Sequence, residues 1–209
     1  MTKPGRKPVQ KPLPENKPGD PKKKPWWDFG GYSMLLLGLL LFTVGGMFNN
    51  APLKGQHKML VASSDIADKQ LQKAVVFIIR HDRGGAQGFI VNRPGAKGEA
   101  GFGGTQEPAR LFALHTLDVQ LPETIAMQDV GLGIVEGKDA IEKLKKASPK
   151  PAWFIVVHGY EGWGTRQMEA EISSSVWQLV EFDKDALTKT PPAKFWEVAR
   201  HLPKFVMTH

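Results

Sequence analysis

The sequence predicts an α+β domain carried behind one membrane-spanning helix. Three observations lead there. Phe29 to Phe48 is a run of 20 residues without a charge, which matches a hydrocarbon core ~30 Å thick. The C-terminal three quarters alternate β-rich apolar runs with capped, helix-periodic segments. Those runs and segments do not alternate strictly, so α+β is preferred to a doubly wound parallel sheet.

The chain has 209 residues, a net charge of +7, six Trp and no Cys. Its 41% apolar content is enough for a core, which excludes wholesale disorder. Residues 1–25 hold seven Lys, one Arg, one Asp and one Glu, so nearly all the excess charge lies there. The near-neutral remainder has no surplus to set against phosphates, which makes nucleic acid an unlikely partner. Lacking cysteine, the chain has no disulfide, thiolate metal site or thiol nucleophile.

Residues 1–25 read as a disordered, solvated tail. Seven of the 16 prolines fall here among lysines, and the segment has no aromatic residue. Such a composition cannot bury enough surface to order itself. Residues 26–50 form the expected transmembrane helix, with Trp26, Trp27 and Tyr32 at headgroup level. Lys22, Lys23 and Lys24 precede it and are expected to stay on the cytoplasmic side, near anionic lipid. The domain then faces the periplasm of a bacterial inner membrane. A cleaved signal peptide is the weaker alternative, because the basic region is long and no Ala-x-Ala site follows. Gly31, Gly38 and Gly45 recur every seven residues and share one helix face. Small residues on one face suit helix packing in lipid, with self-association or with another subunit. Residues 51–56 are expected to be a linker.

From 57 to 209 the elements follow in order. Ala74–Ile79 is a strand expected to end before His81-Asp-Arg-Gly-Gly85, and Gln87–Val91 follows at hairpin spacing. Gly101-Phe-Gly-Gly104 reads as a plain loop. Arg110–Leu114 and Leu132–Val135 are weaker strands. Asp139 with Glu142 resembles a capping pair opening a helix that Pro149 bars from continuing. Trp153–Val157 is an apolar strand expected to be buried on both faces. His158–Gly164 then reads as a tight glycine turn, pinned by aromatic packing, into a helix capped by Thr165, with Glu169 and Glu171 near its start. Thr190-Pro191 opens a last helix with Phe195, Val198, Ala199 and Leu202 on one face, and Pro203 ends it.

Signatures of chemistry are missing. The chain has no Gly-x-Ser-x-Gly elbow, phosphate loop or His-Glu-x-x-His helix. The six histidines, at 57, 81, 115, 158, 201 and 209, form no close ligand pair. No metal or cofactor is therefore expected. A hydrolase-type enzyme using His115 or His158 as base, with Glu161 or Glu171 as partner, is the alternative to a binding protein.

Gly159-Tyr-Glu-Gly-Trp-Gly164, then Gln167-Met-Glu-Ala-Glu-Ile172, then Trp177, resembles the signature of the AlgH/YqgE family. Further pieces agree in order: Lys58–Ala62 as opening strand, Ala74–His81, Gly88–Pro94, Phe102–Gly104, Leu111–His115 and Trp196. The resemblance covers about residues 57–200. It implies a compact α+β domain with a coiled, partly barrel-like sheet and packed helices. It implies no established enzymatic activity, only a loose link to the regulation of exopolysaccharide production. Relatives often carry Cys-Glu before the histidine of the second strand, where this chain has Ile79 and Arg80. Glu161 stands where alanine is usual and Thr105 where proline is. On this reading the chain is a membrane-anchored, non-enzymatic binding, scaffolding or regulatory protein, with a protein partner or self-association expected. Its candidate binding surface comprises Asn92, His115, Tyr160, Glu161, Trp163, Gln167 and Glu171. A cytoplasm-facing regulator of transcription is the other alternative.

Overall fold

The computed structural model describes residues 53–96 and 99–207. The tail, the span with Gly31, Gly38 and Gly45, and Lys22 to Lys24 lie outside the described residues. Among the described residues no helix is long and apolar enough to cross a membrane.

The second strand of the domain shows why a sheet forms here. Val75-Val-Phe-Ile-Ile79 alternates its side chains between two cores. Val75 and Phe77 enter one, while Val76 and Ile78 enter the other. A strand covered on both faces reads as a continuous apolar run rather than an alternating one. Nine strands make the sheet: β1 (Met59–Ala62), β2 (Val75–Asp82), β3 (Gly85–Ile90), β4 (Gly101–Phe102), β5 (Gln106–Thr116), β6 (Ile125–Met127), β7 (Leu132–Glu136), β8 (Phe154–Trp163) and β9 (Trp177–Val180). Their order is β6-β7-β5-β8-β3-β2-β1-β9, with β4 parallel to β8 off that path. The other pairings are antiparallel. The sheet curls into a half-barrel, in keeping with the expected α+β, partly barrel-like architecture.

Among the described residues, four short helices cover it: α1 (Lys138–Lys146), α2 (Gln167–Ser173), α3 (Lys184–Lys189) and α4 (Pro192–Ala199). Phe195, Trp196 and Ala199 of α4 and Leu187 of α3 close the concave core around Phe77, Phe89, Phe112 and Leu114. On the other face Met168 of α2 packs with Leu60, Val76, Ile78, Trp163 and Trp177. Ala140, Ile141 and Leu144 of α1 cover Ala113 and Val135. Each large apolar side chain so buried contributes about 1.5–3 kcal/mol.

Several expectations are corrected. β2 does not stop before His81 but runs through Asp82, leaving Arg83-Gly84 as the hairpin turn. The polar end is tolerated because His81 contacts Glu169 and Asp82 accepts from Arg80 Nε at 2.6 Å and from Gly84 N. Gly101-Phe102 is a short strand, not plain loop. Phe154, Ile155 and Val156 are only half-buried: Ile155 borders a cavity of about 280 Å³ beside Trp153, while Phe154 and Val156 lie on the opposite face at the edge of the α1 cluster. Asp139 lies in the first turn of α1 and does not cap it; Gly137 occupies the cap position. Thr165 does not cap α2 either, because Arg166 takes that position in the left-handed region, φ 59°. Val198 is exposed, and Trp196 takes its place on the buried face of α4. Residues 53–56, expected as linker, lie against the domain, where Leu53 N donates to His81 O and His57 N to Ile78 O. β6, β9 and α3 went unread in the sequence, although Asp183 caps α3 by accepting from Ala186 N.

Candidate functional site

The largest correction concerns His158–Gly164. These residues continue β8 instead of turning, and the turn into α2 is confined to 164–166. Gly159 serves close approach to a neighbouring segment, whereas a Cβ at Gly162 or Gly164 would make only ordinary contacts. Gly159 has φ 70°, and a Cβ there would sit 2.5 Å from Gly104 O. That clearance lets residues 103–105 lie on β8, with Gly103 N donating to His158 O and Thr105 N to the Glu161 carboxylate.

Extended backbone sends Glu161 and Trp163 to one face and Tyr160 to the other. Trp163 is 7% exposed, and its Nε1 donates to Glu171 Oε2 at 2.8 Å. Trp177 Nε1 donates to the same oxygen at 2.9 Å. Gln167 Nε2 donates to Glu171 Oε1 at 2.9 Å, while Gln167 Oε1 accepts from Gly164 N at 3.0 Å. One carboxylate thus receives three donors, and the two indoles meet edge to face at 6.0 Å. Charge-assisted hydrogen bonds of this kind are the strong ones. They staple α2 to the ends of β8 and β9.

Glu161 is 4% exposed. Thr105 N donates to its Oε1 at 3.0 Å and Thr105 Oγ1 to its Oε2 at 3.2 Å. Burial nevertheless pushes its carboxyl up to about 7, with smaller contributions from the negative charges of Asp68 and Glu171. The group therefore exchanges a proton near neutral pH inside the fold.

The remaining sequence candidates lie elsewhere. Asn92 Oδ1 accepts from Val75 N, and its Nδ2 donates to Lys73 O, which ties down the start of β2. Tyr160 donates to Glu107 at 3.0 Å; burial and that carboxylate raise its pKa, while Arg110 lowers that of Glu107. His115 is fully buried, with Nδ1 2.9 Å from Thr116 O. His158 is half-buried, its ring edge-on to Phe102. Trp163, Gln167 and Glu171 are brought together; Asn92, His115 and Tyr160 are not. The histidine–glutamate contact that does form was missed. His81, 2% exposed, places Nε2 3.0 Å from Glu169 Oε1. Its Nδ1 is buried without a hydrogen-bond partner beside Gly55. Their 88-residue separation left no local sequence signal. Among the described residues no group of three or more His, Asp or Glu could hold a metal ion.

Residues 59–204 match the profile of the DUF179 family, described as AlgH-like. The chain belongs to that AlgH-like family. A UPF0301 protein of Caulobacter vibrioides is 29% identical over 150 residues, covering 62% of this chain and 77% of that protein. A UPF0301 protein of Cupriavidus pinatubonensis is 28% identical over 174 residues, covering 74% and 90%. The solution structure of AlgH from Pseudomonas aeruginosa superposes with a TM-score of 0.60 at 23% identity, over 73% of this chain and 90% of that one. A crystal structure from Corynebacterium diphtheriae gives 0.57 at 16% identity, over 76% and 92%. At these identities the two structures speak for the fold alone. In the AlgH-like chain, Ile79 packs against the core around Phe77 and Arg80 bonds Asp82.

Proposed function

We propose that this AlgH-like chain is a membrane-tethered, non-enzymatic protein of the bacterial cell envelope that works by binding, as a scaffold or regulatory accessory. The observation that carries this reading is the closure of the signature residues upon one another. Trp163, Gln167, Glu171 and Trp177 direct their polar atoms into a single staple. Turnover by those groups would require undoing the attachment of α2. His115 and His158 bond neither Glu161 nor Glu171, which weakens the hydrolase alternative.

Tethering rests on the 20 uncharged residues from Phe29 to Phe48 and on Lys22 to Lys24 before them. The tail is cytoplasmic, the domain is periplasmic, and the lysines meet anionic headgroups. A second copy or another subunit packs along Gly31, Gly38 and Gly45.

An alkaline phosphatase reporter fused after His209 tests the topology, since that enzyme is active only in the periplasm. Active fusions in the membrane fraction are expected. A fusion active only with a cytoplasmic reporter overturns the envelope assignment and favours the regulator of transcription.

A further inference from the structure

One edge of the sheet is incompletely covered. The end of the chain folds back along β9: Glu181 N donates to Pro203 O, and Phe205 N donates to Leu179 O. Val206, next along, is 75% exposed. Between this returning segment, the C-terminal end of α4 and the last turn of α2 lies a groove of about 460 Å³. That volume falls in the ~300–1,000 Å³ range of small-molecule sites.

The lining divides by chemistry. Ile172, Trp177, Leu179 and Phe205 supply an apolar floor. Arg200 and Lys204 stand on the wall, and no acidic side chain lines the groove. The Arg200 guanidinium lies 4.8 Å from the Trp196 ring centroid, which holds it over an aromatic face. Its ion pair with Glu197 is long, at 3.6 Å, and exposed, so it is weak. Lys204 forms no ion pair among the described residues. Ser63, Ser64 and Ser175 add hydroxyls that donate to no other described side chain or carbonyl. Two weakly engaged cations with three unused hydroxyls beside an apolar floor are complementary to one kind of molecule.

We propose that this groove binds an amphipathic anion, a carboxylate or phosphate head on an aromatic or short aliphatic body. The head meets Arg200 and Lys204 and accepts from the serines. The body lies on Trp177, Leu179 and Phe205. Such an anion could be a free small molecule or the headgroup end of an anionic lipid. The site goes beyond the envelope assignment and does not depend on which side of the membrane the domain faces; only the lipid arm of its test rests on the tether.

The full-length chain in phosphatidylcholine nanodiscs is titrated calorimetrically with phenyl phosphate, inorganic phosphate and phenol. Phenyl phosphate is expected to bind best, in the micromolar to millimolar range. Arg200→Gln with Lys204→Gln should weaken it by about tenfold or more, while thermal unfolding stays unchanged. Should that double variant unfold, Ser64→Trp, at an exposed lining position, blocks the groove instead and should abolish binding. Repeating the titration with phosphatidylglycerol in the disc separates the sources. A loss of apparent affinity identifies the lipid headgroup as occupant, and an unchanged affinity identifies a free anion. The proposal is overturned if phenyl phosphate does not bind, if inorganic phosphate alone binds as tightly, or if the folded variants retain wild-type affinity. None of these results bears on the reporter topology.

Discussion

Glu161 is a carboxylate on a strand face where, among the described residues, only Thr105 donates to it. Its folded carboxyl titrates near 7 against an ordinary value of 4.5. Below about pH 4.5 folded and unfolded chains both hold the proton. Between 4.5 and 7 the unfolded chain gives it up first, so stability falls as pH rises through 7 and levels off above. The difference amounts to about 3 kcal/mol. Glu161→Gln should therefore melt at a higher temperature than wild type at pH 8 and at nearly the same temperature at pH 4. A difference between the two proteins that does not vary with pH would contradict the burial of this charge. At Trp163 the larger effect is packing. Trp163→Ala should cost about 3–5 kcal/mol in chemical denaturation, whereas Trp163→Phe, which keeps a ring in the core but loses the hydrogen bond to the Glu171 carboxylate, should cost about 1.5–3 kcal/mol. Equal losses would mean the staple outweighs the ring. The sequence shows an acid at Glu161, but its burial follows from the Thr105 segment lying across it.

At the scale of elements, the misreading of Gly159-Tyr-Glu-Gly-Trp163 is instructive. Clustered glycines signal a turn when φ must be positive for chain reversal. Here Gly159, φ 70°, sits within β8, and its missing side chain admits Gly104 O. Local sequence cannot separate the two cases, because the crowding neighbour lies 55 residues away. Gly159→Ala and Gly137→Ala make a matched test. Gly137 also has positive φ, 88°, but a Cβ there meets nothing within 4 Å. Gly137→Ala should cost only the backbone strain, about 1–3 kcal/mol, while Gly159→Ala adds a collision with backbone and should lower the melting temperature further. Comparable melting temperatures would show that the 103–105 segment yields. The helices repeat the lesson. Asp139 and Thr165 have the right chemistry for caps, yet Gly137 and Arg166 occupy the cap positions, since strand ends set where each helix begins.

For the whole molecule, the glycine face of the expected span carries a prediction of its own. Gly38→Ile adds bulk at mid-span without shortening the apolar run, so it should disrupt close helix packing in lipid. Blue-native electrophoresis of membranes should show a smaller species than wild type; identical monomeric species would remove the packing role. Sequence alone determined the α+β class, the paired strands β2 and β3, the existence of the helix α1, and the charge-free run before the domain. Each is written in local periodicity, which reports how a segment partitions between water and an apolar phase. Only the tertiary structure decided that Glu171 gathers two indoles and an amide, that His81 meets Glu169, that Glu161 is enclosed, and that a groove with two cations lies beside β9. These arrangements join residues from separate elements, and their energies arise from burial and close approach, which exist only once the sheet has curled and the helices have closed on it.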